Sequence, residues 1–193
     1  MNKSIEELKE ELSKYIEKGT HRYEHSIAVA EQAKLYAEAH GLDTEKAQKI
    51  GLMHDIAKYM SDEDSLQYVK DNNIELDEDE MEIVDILHGP IAADICKKKY
   101  GFDDEMCEAI KNHTTAKAGM GKLAELLYCA DKTDTTRKYN DVEDYRKLAF
   151  ESLEECTYAI IVWYLNAYRE EGKEPLEKTK KAYEYYKKLL NKN

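Results

Sequence analysis

Chain breakers are scarce. Two prolines and eight glycines punctuate 193 residues, and the aromatics are 15 Tyr against two Phe and one Trp. So few turn residues and bulky β-formers point to helices. The four cysteines, Cys96, Cys107, Cys129 and Cys156, stand far apart with no CxxC pair. That spacing fits reduced cytosolic thiols better than a disulfide framework or a zinc finger. No apolar run approaches the ~20 residues of a membrane span. The opening MNKSIEELKEELSKY alternates charge with apolar residues, unlike a signal or transit peptide. Positive charge is also short: 29 Lys and Arg against 41 Asp and Glu leave a net charge of −12. With a sequence pI near 5.0, a nucleic-acid groove is not the main business of this chain. Neither a GxxxxGK(S/T) or GxGxxG loop nor HExxH occurs, so no glycine-rich cradle for phosphate and no zincin helix is present.

What the chain does have is 42% hydrophobic and 36% charged residues, the profile of a soluble globular protein. Its length suits one domain that buries roughly 70% of its unfolded surface. Apolar residues recur at three and four rather than alternating, which predicts about ten helices and no strand. Helices are expected over 3–18, 22–39 with a stop at Gly41, and from an Asp43 cap to about Lys58. A short one follows from Ser61 to Lys70, then a pair over 78–88 and 90–100, with Pro90 at a first helical position and Gly101 as the stop. Asp103 opens a helix to His113, and helices over about 121–132, 141–171 and 175–190 complete the chain. No linker, repeat or low-complexity tract divides it, so residues 1–193 read as a single all-α domain. Six of the eight residues over 75–82 are acidic, and the tail from Lys178 holds six lysines against Glu184 alone. Both runs read as solvated helix faces.

The histidines carry the chemistry. His25 lies in line with Val29, Ala33 and Tyr36, and His54 shares a stripe with Ala47, Ile50 and Gly51. Asp55 follows His54, turned about 100° around the helix. His88 is four residues after Val84, His113 three after Ile110, and Asp131 four after Leu127. A single histidine on an apolar face is ordinarily a core residue bonded to a backbone carbonyl. Four imidazoles and two carboxylates buried together are different, because each unpaired polar group costs about 1–3 kcal/mol and an unpaired carboxylate more. A cation relieves that cost. Nitrogen and carboxylate donors suit borderline divalent ions such as Fe, Mn, Co, Ni or Zn rather than Mg or Ca. Six ligands exceed one tetrahedral ion and suit two ions roughly 3.5–4 Å apart, an arrangement used to hydrolyse phosphate esters and anhydrides. A calcium loop from Asp131 fails at Thr136 and Val142. No cysteine has a recognisable nucleophile context.

The order His, His-Asp, His, His, Asp resembles the HD-domain superfamily of metal-dependent phosphohydrolases. Five blocks in sequence, HRYEHSIAVAEQAKLYAEAHG, AQKIGLMHDIAKYM, ILHGPIAADI, AIKNHTTAKAGM and LLYCADKTDTTR, are similar to the YqeK-type family of symmetrical diadenosine tetraphosphatases. The similarity runs over about residues 21–137 and continues more weakly to the C-terminus. It implies a helical HD bundle whose metal core spans about 21–137, with additional C-terminal helices over about 141–190. One ion would be held by His25, His54, Asp55 and Asp131, and a second by His88 and His113 with Asp55 bridging. The family's metal is iron, and Mn, Co, Ni or Zn would also suit the donors. Lys58 matches a phosphate-contacting lysine, and Arg22 and Arg137 match basic positions near the pocket. His88, His113 and the adjoining Thr114 are placed on the substrate side. The chain departs from the family after Asp131, where KTDTT stands for an acidic-proline pair. It also departs after His113, where Thr-Thr-Ala stands for Thr-Gly. The block GKEPLEKTKKAY keeps Gly172, Pro175 and Thr179 without the family's histidine.

The implied activity is symmetrical hydrolysis of a dinucleoside polyphosphate, such as diadenosine tetraphosphate, to two ADP. The ions would activate a bridging water, with Asp55, Lys58 and Asp131 as catalytic residues. Another HD-type phosphohydrolase acting on nucleoside monophosphates would use the same ligands. A non-catalytic module that binds a nucleotide or a protein is the reading from a different class. No nucleic acid or membrane partner is expected, and the Tyr-rich helices after Asp141 offer a surface for a homodimer.

Overall fold

The computed structural model describes residues 3–191; Met1, Asn2, Lys192 and Asn193, the ends of the expected 1–193 span, lie outside the described residues. Among the described residues there are eleven α-helices and no strand. In chain order they are α1 Ile5–Leu12, α2 His21–His40, α3 Thr44–Met53, α4 Asp62–Asp71, α5 Glu78–Met81 and α6 His88–Ile95. There follow α7 Asp104–Asn112, α8 Lys122–Thr133, α9 Val142–Glu151, α10 Leu153–Glu170 and α11 Glu177–Leu190. Side chains of Ser4, Thr20, Asp43, Ser61, Asp103 and Ser152 accept from the first free amides of α1, α2, α3, α4, α7 and α10. Gly41 ends α2 in the left-handed conformation expected of it, with φ +66°.

Several boundaries differ from the sequence reading. Helix α1 gives way to turns after Leu12, well before residue 18. Helix α3 ends at Met53, so His54 and Asp55 stand in the turns that follow it. The stretch 78–88 is broken into α5 and a 3-10 turn at Val84–Ile86, and α6 opens at His88 with Pro90 as its third residue. Helix α6 then runs into a π turn, Cys96–Tyr100, which Gly101 terminates at φ +70°. The long helix expected over 141–171 is split at Ser152, whose extended backbone, φ −156° and ψ 117°, caps α10 through its hydroxyl. Helix α11 starts at Glu177, two residues beyond Pro175.

Helices α2, α3, α7 and α8 surround the core that holds the histidines, and α1, α6 and α9–α11 pack around them. The closest approach is at Gly51. A Cβ there would meet Ala30 Cα at 2.8 Å, Ala30 N at 2.9 Å and Val29 O at 3.0 Å. Only a glycine lets α3 lie this near α2, and the two helices supply His54 and His25. Gly89 does the same between α6 and α7: an added Cβ would be 3.2 Å from Lys111 O and 3.4 Å from His113 Cε1. Two glycines, one three residues before His54 and one directly after His88, thus lie where the helices that carry the histidines approach.

The acidic run and the basic tail are not both free faces. Lys178 Nζ reaches Glu80 Oε1 at 2.6 Å with the two side chains 10% and 4% exposed, and Glu177 N donates to Asp79 Oδ2 at 2.8 Å. Thr179, the residue after Lys178, donates to Thr115 O at 2.8 Å and so braces the loop just after α7. No helix of the described residues is long and apolar enough to cross a membrane. The four cysteines are unpaired thiols.

Gly51→Ala is expected to cost about 1–3 kcal/mol, because the clash is with backbone that cannot step aside. Thermal unfolding of the variant should show a melting point several degrees lower; an unchanged melting point would mean that α2 and α3 are not held at this distance.

Candidate functional site

Six side chains meet inside this helical frame, and three of the four imidazoles are oriented in the same way. His54 Nδ1 bonds Gly51 O at 2.7 Å, His88 Nδ1 bonds Asp85 O at 2.5 Å, and His113 Nδ1 bonds Ile110 O at 2.7 Å. Each ring bonds the carbonyl three residues back. For His54 and His113 these are carbonyls of the last turns of α3 and α7, which have lost their helical partners. This is why both histidines cap their helices instead of lying within them. The bond fixes the orientation of each ring, with Nδ1 held by the backbone and Nε2 aimed inward, where His88 Nε2 and His113 Nε2 meet at 3.2 Å.

The Nε2 atoms surround two carboxylates. Asp55 Oδ1 lies 3.2 Å from His88 Nε2 and 3.6 Å from His113 Nε2, while Asp55 Oδ2 lies 3.5 Å from His54 Nε2 and 3.9 Å from His25 Nε2. Asp131 Oδ1 lies 3.0 Å from His25 Nε2 and 3.7 Å from His54 Nε2. The 3.0 Å approach lacks hydrogen-bond geometry: His25 Nε2 and His54 Nε2 are both buried with no hydrogen-bond partner. Three overlapping groups have ligand atoms within 4.8 Å of one another, namely His25–His54–Asp55, His54–His113–Asp131 and Asp55–His88–His113. They share Asp55, His54 and His113. Two unsatisfied imidazole nitrogens beside two carboxylates, all buried, form a donor set compatible with a divalent metal.

Cations stand against the carboxylates from outside. Arg22 Nη1 is 2.6 Å from Asp55 Oδ2, Arg137 Nη2 is 3.0 Å from Asp131 Oδ1, and Lys132 Nζ pairs with Asp131 Oδ2. Burial alone would raise both acids. The imidazoles of His54, His113 and His88 outweigh it at Asp55, as Lys132 and His25 do at Asp131, so both are held well below the usual carboxylate range. His113 goes the other way: burial pushes it down to about 4, keeping its ring neutral. Lys58 lies at the rim, with Nζ 2.8 Å from Asp85 Oδ1 and 3.5 Å from His88 Nδ1. Thr114 Oγ1 is buried without a partner next to His113.

Two residues that the sequence reading passed over belong to this cluster. Asp134, fully buried, puts Oδ2 3.2 Å from His25 Nδ1, and is itself held by Thr136 N at 2.8 Å and Arg137 Nε at 3.2 Å. It gives His25 the outer partner that backbone carbonyls give the other three rings. Lys132 is the second, also donating to His113 O at 3.2 Å. The clue to Asp134 was its nearness in sequence: it stands three residues after Asp131, immediately past the end of α8, and its carboxylate reaches the other nitrogen of the ring that Asp131 faces. The apparent departure KTDTT therefore keeps an acid where it acts and loses only the proline. A groove of about 870 Å3, bordered by residues such as Glu75, Asp94, Lys97 and Lys111, includes none of the six converging side chains.

Residues 22–136 match the family model described as HD domain. The chain belongs to the HD-domain family. Among relatives of this HD-domain chain, a Staphylococcus aureus protein named bis(5'-nucleosyl)-tetraphosphatase, symmetrical, is 38% identical over 143 residues, covering 72% of this chain and 73% of that one. A Bacillus subtilis protein of the same name is 32% identical over 139 residues, covering 67% and 69%. A crystal structure from Clostridium acetobutylicum, described as a predicted HD superfamily hydrolase involved in NAD metabolism, superposes with a TM-score of 0.91. That superposition covers 98% of this chain and 100% of the other at 27% identity.

Two outcomes follow. Burial opposes a proton on His25, but Asp131 and Asp134 outweigh it and lift His25 from 6.5 to about 9. A raised folded-state value stabilises the cation-free fold fully below pH 6.5, and that gain is lost as pH rises through about 9; its size is on the order of 3 kcal/mol. Melting of chelator-treated chain should therefore weaken from pH 6.5 to 9, and His25→Asn should flatten that slope. Separately, Asp134→Asn should lower divalent-ion affinity by roughly 10–100-fold, as loss of an outer partner does; calorimetric titration showing wild-type affinity would remove Asp134 from the site.

Proposed function

We propose that this HD-domain chain hydrolyses dinucleoside polyphosphates, cutting diadenosine tetraphosphate symmetrically into two ADP. We further propose that it does so with two divalent transition-metal ions, iron first among them. The observation that carries the reading is the pair of buried imidazole nitrogens, on His25 and His54, that find no partner among the protein's own groups. The three overlapping ligand groups, two of them containing Asp55 and the third Asp131, favour more than one ion. The names of the Staphylococcus and Bacillus relatives support the substrate.

Bound there, the ions supply Lewis acidity at phosphoryl oxygens and a water of lowered pKa. The rest is the work of side chains. His25, His54 and Asp131 would hold one ion and His88 and His113 the other, with Asp55 between them. The bonds from Nδ1 fix which nitrogen each of His54, His88 and His113 presents. Lys58 at the rim beside His88 and Arg137 beside Asp131 flank the cluster from two sides, placed to neutralise charge on the central phosphates and on the departing ADP. Asp131, kept ionised by Lys132 and His25, is the carboxylate we assign to accept the attacking water's proton. Arg22, against Asp55, and Thr114, beside His113, complete the substrate side.

Purified chain loaded with iron should convert diadenosine tetraphosphate to ADP as the sole nucleotide product on chromatography. His54→Ala with Asp55→Ala should lose more activity than the ~10–100-fold typical of an outer partner. Preferential release of phosphate from nucleoside monophosphates on the same panel would instead mark a nucleotidase. Less than one ion per chain on metal analysis would mark a binding module.

A further inference from the structure

The family match ends at residue 136, and at that boundary the chain builds a recess for which the metal chemistry has no use. Its volume is about 100 Å3. Four of its lining residues are aromatic, Tyr139, Tyr145, Trp163 and Tyr164, and its two charged ones, Lys132 and Arg137, are both cations. We propose that this recess seats one nucleobase of the substrate, stacked on the aromatic wall, with Lys132 and Arg137 receiving the phosphates that lead from it to the metal cluster. The inference rests on the hydrolase reading for what reaches the recess, but its occupant is identified by the recess itself.

Size is the first argument. A recess of about 100 Å3 is far below the 300–1,000 Å3 of a whole-ligand pocket, so it takes one flat ring rather than a dinucleotide. Charge is the second. In a chain of net charge −12, this recess carries two cations and no acid, and both cations touch Asp131, Arg137 at 3.0 Å and Lys132 through Oδ2. A polyanion bound at the cluster and extending past Asp131 meets these two residues, and then the aromatics. The third argument is the geometry of the rings. Trp163 and Tyr139 stack with centroids 5.9 Å apart and planes 24° apart, and Tyr139 Oη is tied to Lys132 O at 2.7 Å. Yet Trp163 remains 46% exposed. An indole fixed against a neighbour and still open to solvent is a stacking platform, because every base offers a π face to it. Lys132 Nζ lies 5.8 Å from the centre of the Tyr164 ring and 5.4 Å from that of Tyr128, joining the cationic and aromatic parts of the recess.

Trp163 is the only tryptophan, so the fluorescence of the whole chain reports on the recess directly. Titration with ADP, with and without a divalent ion, should quench it saturably, whereas inorganic pyrophosphate should not. Trp163→Leu should raise KM for diadenosine tetraphosphate by roughly tenfold or more, the effect of losing one base stack, and Trp163→Phe should recover most of it. Equal quenching by pyrophosphate and ADP overturns the proposal, as does an unchanged KM in the leucine variant. A change that follows protein concentration rather than ADP assigns the recess to a second copy of the chain and also overturns it. If the chain does not cleave the dinucleotide at all, the function assigned above falls, while saturable quenching by ADP still supports the recess.

Discussion

Two carboxylates lie at the centre of this chain, Asp55 at 2% and Asp131 at 5% exposure, and the rest of the site answers to their charge. An isolated buried carboxylate is too costly to keep ionised. Here four imidazoles converge on the pair from inside the bundle, and Arg22, Lys132 and Arg137 cover it from outside. The helical frame then follows as a requirement. Rings must approach the acids from several directions at once, which explains why the ligands come from α2, the turn after α3, the start of α6, the end of α7, and α8. It also explains why α3 must lie on α2 at a distance only Gly51 permits.

The same balance accounts for how the rings are held. Three rings hold Nδ1 against a carbonyl three residues back, which fixes each ring's orientation and aims Nε2 at the acids. His25 lies within α2, in its second turn, where the carbonyls are already used by the helix. It therefore needs a side-chain partner, and Asp134 is that partner. A carboxylate in this position raises the basicity of His25 in the absence of an ion, where burial lowers that of His113, and makes it a strong donor in an ion's presence. The difference between the rings thus derives from where each falls on its helix.

Much of this was legible in the order of residues, and the rest was hidden for identifiable reasons. The all-helical class and the caps at Asp43, Ser61 and Asp103 could be read because short polar caps and Gly41 are local signals. The end of α3 could not be placed from periodicity alone, since the apolar pattern continues past Met53 although the helix stops. What stops it is a tertiary demand, that His54 cap Gly51 O and turn inward. The break at Ser152 is similar: a good N-cap residue sat unnoticed inside a long periodic run. The pairing of Glu80 with Lys178 joins residues 98 positions apart, which no local reading of either charge run reveals. Which residues gather at the site was visible as a list; which of them hold the ligands in place was visible only in space.

The division of the chain into a family core and its C-terminal helices has a physical logic. Over residues 22–136 the constraint is electrostatic and strict, since the burial of two acids leaves few other arrangements of donors. Beyond it the constraint is one of surface. Helices α9–α11 contribute aromatic rings and lysines whose contacts are made to the edge of the core: Arg146 Nε to Thr133 O at 2.6 Å, Thr179 to Thr115, Tyr186 Oη to Glu125 Oε1 at 2.8 Å. Each contact ends on a residue within a few positions of Asp131 or His113, or on their helices. The net charge of −12 is spread over the whole surface and screened within about a Debye length, whereas the cluster and its cations act across contacts of 3–4 Å. A strongly acidic protein can therefore present a locally cationic approach to its own active centre, and the C-terminal helices are the part of the fold free to shape it.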